Sequence, residues 1–363
     1  MNIQKLKDEL GAVTEPRRTS HGNIRHKLED IIIIGLCTLI CKGEDYADME
    51  EFGKERYAWL STILELPNGI PDKDTFRRVF ERLNPQELSQ CLVNWLHVER
   101  EKHAVIAIDG KTIRGSKNEE HRAYHVVSAF VAENQITLGE ITVTEKSNEI
   151  TAVPELLDLI DVQGAIVTAD AMSCQKKIVQ KIVEKKANYV LGLKENQRSL
   201  YEDVALFFET FDGVYASRTT IEKDHGRIEK REYHLLTDIG WLTQKDEWAN
   251  IRAVGAVIST VQEKEKTSTF TRYFITSLED VDRFSYAVRK HWSIENQLHW
   301  CLDVIFHEDD ARARKDNSPL NMNVLRKMAL SLVNQAKQGR LSKKKMMFKA
   351  ALNPDVLLRI LFG

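Results

Sequence analysis

The hydrophobic pattern divides this 363-residue chain into stretches of different periodicity. Between residues 27 and 100, apolar positions recur at helical spacing. Leu28, Ile31 and Ile32 open one face, residues 52–64 supply another, and Phe76, Val79, Phe80 and Leu83 form a third. Asp74 or Thr75, following Pro71, is placed to cap that third helix. From residue 104 the periodicity changes to short continuous apolar runs. A strand over 105–109 is followed by a hairpin of 125–132 and 136–143 around Glu133-Asn134, then a helix over 153–160. A strand runs into Asp170, and helix 175–185, strand 189–193 and a helix opening at Asn196 follow. Strands that come first in sequence and then alternate with helices predict a mixed α/β (α+β) sheet with helices packed on it.

Residues 213–280 read differently again. Strand-like runs at 219–221, 232–236, 253–261 and 270–275 have no convincing helix between them, which predicts a β-rich insertion. Helical periodicity returns at Val281 and persists to about Ala336. The expected organisation is a helical domain over 1–100, a catalytic-type α/β domain over 101–336 with its insertion at about 213–280, and a basic helical tail over 337–363. The most apolar stretch, 31–41, is too short to span a membrane and no cleavable signal precedes it. A buried helix is the expectation.

Composition adds little until charge is divided along the chain. Hydrophobic content of 42% and charged content of 29% describe an ordinary globular protein. Cys37, Cys41, Cys91, Cys174 and Cys301 form no CxxC pair and no zinc spacing, as expected of reduced thiols in a cytoplasmic protein. The net charge is −2, yet residues 311–349 hold eleven Lys or Arg against the single acid Asp316, leaving about −12 on the rest. A basic stretch on an acidic body points to an anionic partner, the alternative being a solvated helix face.

Two of the apolar runs end in one aspartate each: Val105-Ile106-Ala107-Ile108-Asp109 and Ala165-Ile166-Val167-Thr168-Ala169-Asp170. A carboxylate at the end of a covered strand needs a partner. Two such strand ends brought together would hold a hard cation by oxygen ligands, whereas each aspartate taken singly reads first as a turn cap. A third carboxylate lies on a helix. Ile294, Leu298, Cys301 and Ile305 make its buried face, and His291, Glu295, His299 and Asp303 form an adjacent polar stripe flanked by Trp292 and Trp300. That arrangement fits a helix edge lining a cleft, or a solvated stripe. The histidines would also suit zinc, but no HExxH is present and the two strand aspartates would then go unexplained.

Together these residues resemble the DDE transposases of bacterial insertion sequences, in the group that includes the H-repeat-associated proteins. The resemblance is carried by Ala107-Ile108-Asp109-Gly110-Lys111-Thr112-Ile113-Arg114-Gly115-Ser116, Thr168-Ala169-Asp170-Ala171-Met172, Gly192-Leu193-Lys194-Glu195-Asn196-Gln197, His225-Gly226-Arg227-Ile228-Glu229 and His291-Trp292-Ser293-Ile294-Glu295-Asn296. It covers nearly the whole chain, including Leu66-Pro67-Asn68-Gly69-Ile70-Pro71 near the start. It implies an RNase H-like core, with Asp109, Asp170 and Glu295 as a triad holding two Mg²⁺ (or Mn²⁺) ions, Asp109 bridging both. Related transposases with a β insertion carry Tyr-x2-Arg-x3-Glu-x6-Lys around the last carboxylate. Here those places hold Val288, His291, Glu295 and Leu302. This departure bears on the DNA-gripping roles of those positions and leaves the triad in place.

Carboxylates suit such chemistry, because hard cations about 4 Å apart can activate a nucleophile and stabilise the leaving oxygen of a phosphodiester. Lys111, Arg114 and Lys194, just beyond strand ends, are candidates to hold phosphates. His225 and Arg227 in the insertion, His291 beside the glutamate, and Arg312, Arg314 and Lys315 in the basic stretch are further DNA-contact candidates. Asp309 and Asp310 rival Glu295 as the third acid, though their place after the helix reads as a turn. The expected partners are double-stranded DNA (terminal inverted repeats and target) and a second copy of the chain, in the bacterial cytoplasm at the nucleoid and without a membrane. A nuclease of the same fold without strand transfer, or a catalytically silent DNA-binding relative, are the alternatives.

Overall fold

A computed structural model describes residues 3–19, 22, 24–96, 101–119, 122–143, 149–211, 213–224, 226–264, 266–337 and 339–363. The chain opens with helices α1 (Ile3–Leu10), α2 (Leu28–Ile40), α3 (Tyr46–Glu55), α4 (Tyr57–Leu60), α5 (Lys73–Arg82) and α6 (Pro85–Leu96). The apolar stretch at 31–41 is the buried α2: Ile31, Ile32, Ile33, Ile34 and Leu36 are all enclosed at the centre of a helical layer. The cap of α5 is Asp72, whose carboxylate accepts from Thr75 N–H at 2.6 Å, and not Asp74 or Thr75. The chain turns helical directly after Asp72, so both expected caps already lie inside the first turn.

A nine-stranded sheet follows, with strands β1 (Val105–Thr112), β2 (His125–Val131), β3 (Ile136–Val143), β4 (Ile166–Ala169), β5 (Asn188–Leu193), β6 (Ala216–Asp224), β7 (Arg227–Leu236), β8 (Ala253–Glu263) and β9 (Lys266–Thr276). Their spatial order is β3-β2-β1-β4-β5-β9-β8-β7-β6. Strands β1, β4 and β5 are parallel neighbours, while β2 and β3 add antiparallel to one side. The β-rich stretch is an antiparallel meander that joins the central sheet through β5 and β9 and so extends it.

Alternation along β1 assigns its two faces. Ile106 and Ile108 enter the core under α7 (Glu149–Leu159) and α8 (Lys176–Glu184), with α9 (Arg198–Thr210) on the same cluster. Ala107 enters the core of the helical layer on the opposite face, so Asp109 points toward that side as well. Helix α10 (Val281–His291) covers the middle of that face through Phe284, Ala287 and Val288, packed with Val105, Ile166, Val190 and Tyr233. A six-residue π-helix, Ile294–His299, continues into α11 (Trp300–Val304). Ile294, Leu298, Cys301 and Ile305 are buried, as the spacing predicts.

Helices α12 (Ser318–Ala336), α13 (Lys343–Leu352) and α14 (Pro354–Phe362) complete the layer. Met347, Ala350, Leu357 and Ile360 lie in the same core as α2, and Phe362 meets Trp95 edge-on with ring centroids 6.2 Å apart. Two of the eleven basic residues in 311–349 are interior: Arg326 faces Glu308 at 3.7 Å, and Lys327 bonds Glu140 and, at 2.8 Å, Ser128. All five cysteines are free thiols. Among the described residues no helix is long and apolar enough to cross a membrane.

Candidate active site

Strand register explains why the two aspartates meet. In the parallel pair β1–β4, Ile108 is level with Ala169, so the next residues, Asp109 and Asp170, stand at one height on neighbouring strands. The outer ends of parallel strands are where α/β sheets bind ligands. Both aspartates and Glu295 line one cleft of about 1060 Å³ between the sheet face and α10 with the π-helix.

Within that cleft one cluster is tighter than the rest. Single donor atoms of Asp109, Glu295 and His299 all lie within 4.8 Å of one another. The Nδ1 of His299 is 3.1 Å from Glu295 Oε2 and 3.6 Å from Asp109 Oδ2. Side-chain exposure grades from 5% for His299 through 28% for Asp109 to 55% for Glu295, so the imidazole forms the floor and the carboxylates reach solvent. The Asp170 carboxylate stands outside this trio. Its Oδ1 caps the 3-10 turn Ala171–Ser173, accepting from Met172 N–H at 3.0 Å and Ser173 N–H at 3.4 Å. These bonds use one of its two oxygens, so capping and ligation are compatible roles.

The electrostatics suit a cation. Burial pushes the Asp109 carboxyl up to about 6, with the Asp170 and Glu149 carboxylates adding to the shift and His299 and the Gly110 N–H opposing it. Glu295 is held below its ordinary value, chiefly by its hydrogen bond with His299. A buried carboxyl crowded by two others gains from a positive charge, and oxygen donors of this kind are those that hard divalent ions take. The residues therefore fit a divalent metal. Beneath Asp109, Gly110 is needed for close packing: a Cβ there would meet His125 Nε2 at 2.3 Å, and His125 itself pairs with Glu149 at 2.5 Å.

The other residues singled out from sequence fall in several places. Lys111 is nearly enclosed, its ammonium 2.8 Å from Asp303, 3.3 Å from Glu308 and 3.5 Å from Asp309. Burial opposes its charge, but these carboxylates prevail and raise its pKa. Arg114 is exposed, and its backbone N–H donates to Asp309 at 3.2 Å. Asp309 is thus engaged with Lys111 and Arg114, and Asp310 follows in the same 3-10 turn. Lys194 is exposed at the cleft rim. His291 lines the cleft and bonds Thr168 Oγ1 through Nδ1 at 3.0 Å. Arg227 pairs with Glu229 at 2.9 Å at the start of β7, and His225 lies outside the described residues. Arg312, Arg314 and Lys315 line a second cavity of about 590 Å³; Arg314 donates to Gly115 O at 2.9 Å and Lys315 sits 3.5 Å from Glu81.

Several cleft residues carry no assignment from sequence. His299 belongs to the polar stripe, where its spacing from His291 suggests zinc and nothing else. Arg231 and Arg289 share Glu222 at 3.0 and 2.9 Å, and the Arg272 guanidinium lies over Phe270 at 4.7 Å and Trp292 at 5.1 Å. The available signal is alternation: Arg231 and Tyr233 on β7, and Arg272 and Phe274 on β9, each repeat at i, i+2 on the cleft face.

A β3-β2-β1-β4-β5 core with acids at adjacent strand ends and a helix-borne glutamate above them is an RNase H-like arrangement. Residues 100–332 match the family described as "Transposase DDE domain", and residues 7–96 match the family described as "DDE_Tnp_1-associated". The chain belongs to the DDE transposase family. It is 37% identical to "Putative transposase YncI" of Escherichia coli O157:H7, over 99% of this chain and 95% of that one. It is 34% identical to "H repeat-associated putative transposase YhhI" of Escherichia coli (strain K12), over 100% and 99%. Among solved structures it is similar to a piggyBac transposase in a synaptic complex with hairpin DNA, at 11% identity and a TM-score of 0.41, covering 99% of this chain and 78% of that one.

Proposed function

We propose that this protein cuts and joins DNA at the ends of an insertion sequence, with Asp109, Asp170 and Glu295 as its metal-holding carboxylates. The observation that carries this reading is the shared height of Asp109 and Asp170 on neighbouring parallel strands, with Glu295 lining the same cleft. Family membership supports it independently. Bound divalent ions, Mg²⁺ or Mn²⁺, supply Lewis acidity at the phosphorus and lower the pKa of an attacking water or 3′-hydroxyl.

The chain's own residues do the rest. Asp109, with its carboxyl raised to about 6, is largely ionised at neutral pH, and the charge of a bound cation would offset the burial that disfavours this form. The backbone N–H groups of Met172 and Ser173 hold the Asp170 carboxylate in one orientation. Lys194 at the rim and Arg272 on the wall are the cleft's basic groups outside an ion pair with Glu222 and are placed to meet a phosphate backbone, while Arg231 and Arg289 share Glu222. Exposed lysines of α13 extend that affinity without reading sequence. Two ends must be held together for joining, so a pair of protomers on DNA is part of the proposal.

The test is to incubate the full chain with DNA carrying the terminal repeats that flank its own gene, with Mg²⁺ or Mn²⁺. End-specific cleavage followed by joining to a second duplex supports a transposase. Cleavage with no joined product at any end would instead indicate a hydrolytic nuclease.

A further inference from the structure

We propose that His299 is a nitrogen ligand of the cation held by Asp109 and Glu295, and that this donor set makes the site select Mn²⁺ over Mg²⁺. The inference rests on the reading of the cleft as a metal centre.

Position is the first argument. The Nδ1 of His299 is wedged between the two carboxylates, 3.1 Å from Glu295 Oε2 and 3.6 Å from Asp109 Oδ2, and a donor atom from each of the three residues falls within 4.8 Å of the others. Two carboxylates brought this close repel one another unless something positive or proton-bearing stands between them. In the metal-free protein an imidazole N–H fills that place. Once a cation neutralises the pair, the N–H is no longer needed there, and the same nitrogen has a lone pair to offer.

The second argument is the state of the other nitrogen. His299 is almost fully buried, and its Nε2 has no hydrogen-bond partner among the described residues. No donor at Nε2 therefore holds the hydrogen on Nδ1; only the two carboxylates do, and a cation that neutralises them removes that preference. The residue also closes a π-helix, Ile294–His299, that contains Glu295. Such segments are rare and recur at functional sites, because the altered turn re-aims side chains. Here the two donor-bearing residues of the helix both face β1.

The donor set then decides the ion. Mg²⁺ demands near-octahedral oxygen coordination and gives up water reluctantly, whereas imidazole suits first-row transition ions. Two carboxylates with one imidazole should favour Mn²⁺.

The test titrates the full chain, without DNA, with Mn²⁺ alone and Mg²⁺ alone. The expected result is Mn²⁺ binding at least about tenfold tighter than Mg²⁺. His299→Gln should lose about 10–100-fold in Mn²⁺ affinity while Mg²⁺ affinity changes only a few-fold. Electron spin-echo spectra of the Mn²⁺-bound wild-type chain should show nitrogen modulation that persists in His291→Gln and vanishes in His299→Gln. The wild-type spectrum decides even if the His299 variant does not fold: absent nitrogen modulation overturns the proposal. An equal loss of both ions in His299→Gln also overturns it, since that is what a hydrogen bond that only positions Glu295 would produce. Mn²⁺ binding unchanged in Asp109→Asn would instead overturn the metal-centre reading beneath it.

Discussion

Thr168 Oγ1 lies 3.0 Å from His291 Nδ1, tying the strand that leads to Asp170 to the helix that leads to Glu295. Burial, with a smaller effect from His299, lowers the His291 pKa from 6.5 to about 4. Below 6.5 the unfolded chain protonates this residue and the folded chain does not. The contribution to stability is therefore complete above 6.5 and lost as pH falls toward 4. Asp109 gives the opposite slope between 3.8 and about 6, so the comparison belongs on an Asp109→Asn background. There, His291 should account for about 1–3 kcal/mol of the stability lost between pH 7 and pH 4.5 in urea unfolding, and His291→Gln should reduce the loss by that amount, leaving the smaller share of His26 and His234. Identical slopes with and without His291 would refute the assignment.

Asp109 itself should be a stability liability without metal. Its folded pKa is raised, so at neutral pH the folded state carries a charge that it disfavours. Asp109→Asn is expected to raise metal-free stability by about 1–2 kcal/mol at pH 7, measured as a shift in urea midpoint in the presence of chelator. A destabilised variant would mean that the carboxylate is held for structure.

Lys111 should behave as an internal counter-ion. Removing its charge leaves Asp303, Glu308 and Asp309 facing one another, with Glu308 fully buried. Lys111→Met is expected to cost about 3–5 kcal/mol, the range for breaking a buried pair. A residue that mainly held DNA would leave stability unchanged and weaken binding alone.

The basic stretch should divide by exposure. Lys344 and Lys345 are exposed on α13, and Lys327 is buried against Glu140 and Ser128. Changing Lys344 and Lys345 to Glu should flatten the plot of log affinity against log salt by about 1 unit for each phosphate no longer neutralised. Lys327→Ala should lower stability instead. A salt slope untouched by the double change would remove α13 from the DNA interface.

These divisions show what the sequence could and could not reveal. The strands ending at Asp109 and Asp170 were legible because a covered strand announces itself by a continuous apolar run. Their equal height was not, since it depends on β1–β4 pairing across a long intervening segment. The strands of 213–280 were readable individually, but their junction with β5 through β9 is a non-local pairing with no local signal. His299 stood in the right stripe, yet a helical-wheel reading contains neither the π-helix nor the strand it faces. A charge count finds eleven basic residues and cannot tell that Arg326 and Lys327 are spent inside the core. Asp72, Asp74 and Thr75 are all acceptable caps by type, and only the backbone of the folded chain singles out Asp72.

The most direct measurement is cleavage of a DNA duplex bearing the chain's own terminal repeats, with Mg²⁺ or Mn²⁺, by the wild-type protein and by Asp109→Asn of verified fold. The account predicts metal-dependent nicking at the repeat ends by the wild type and none by Asp109→Asn. Equal nicking by both proteins would contradict it.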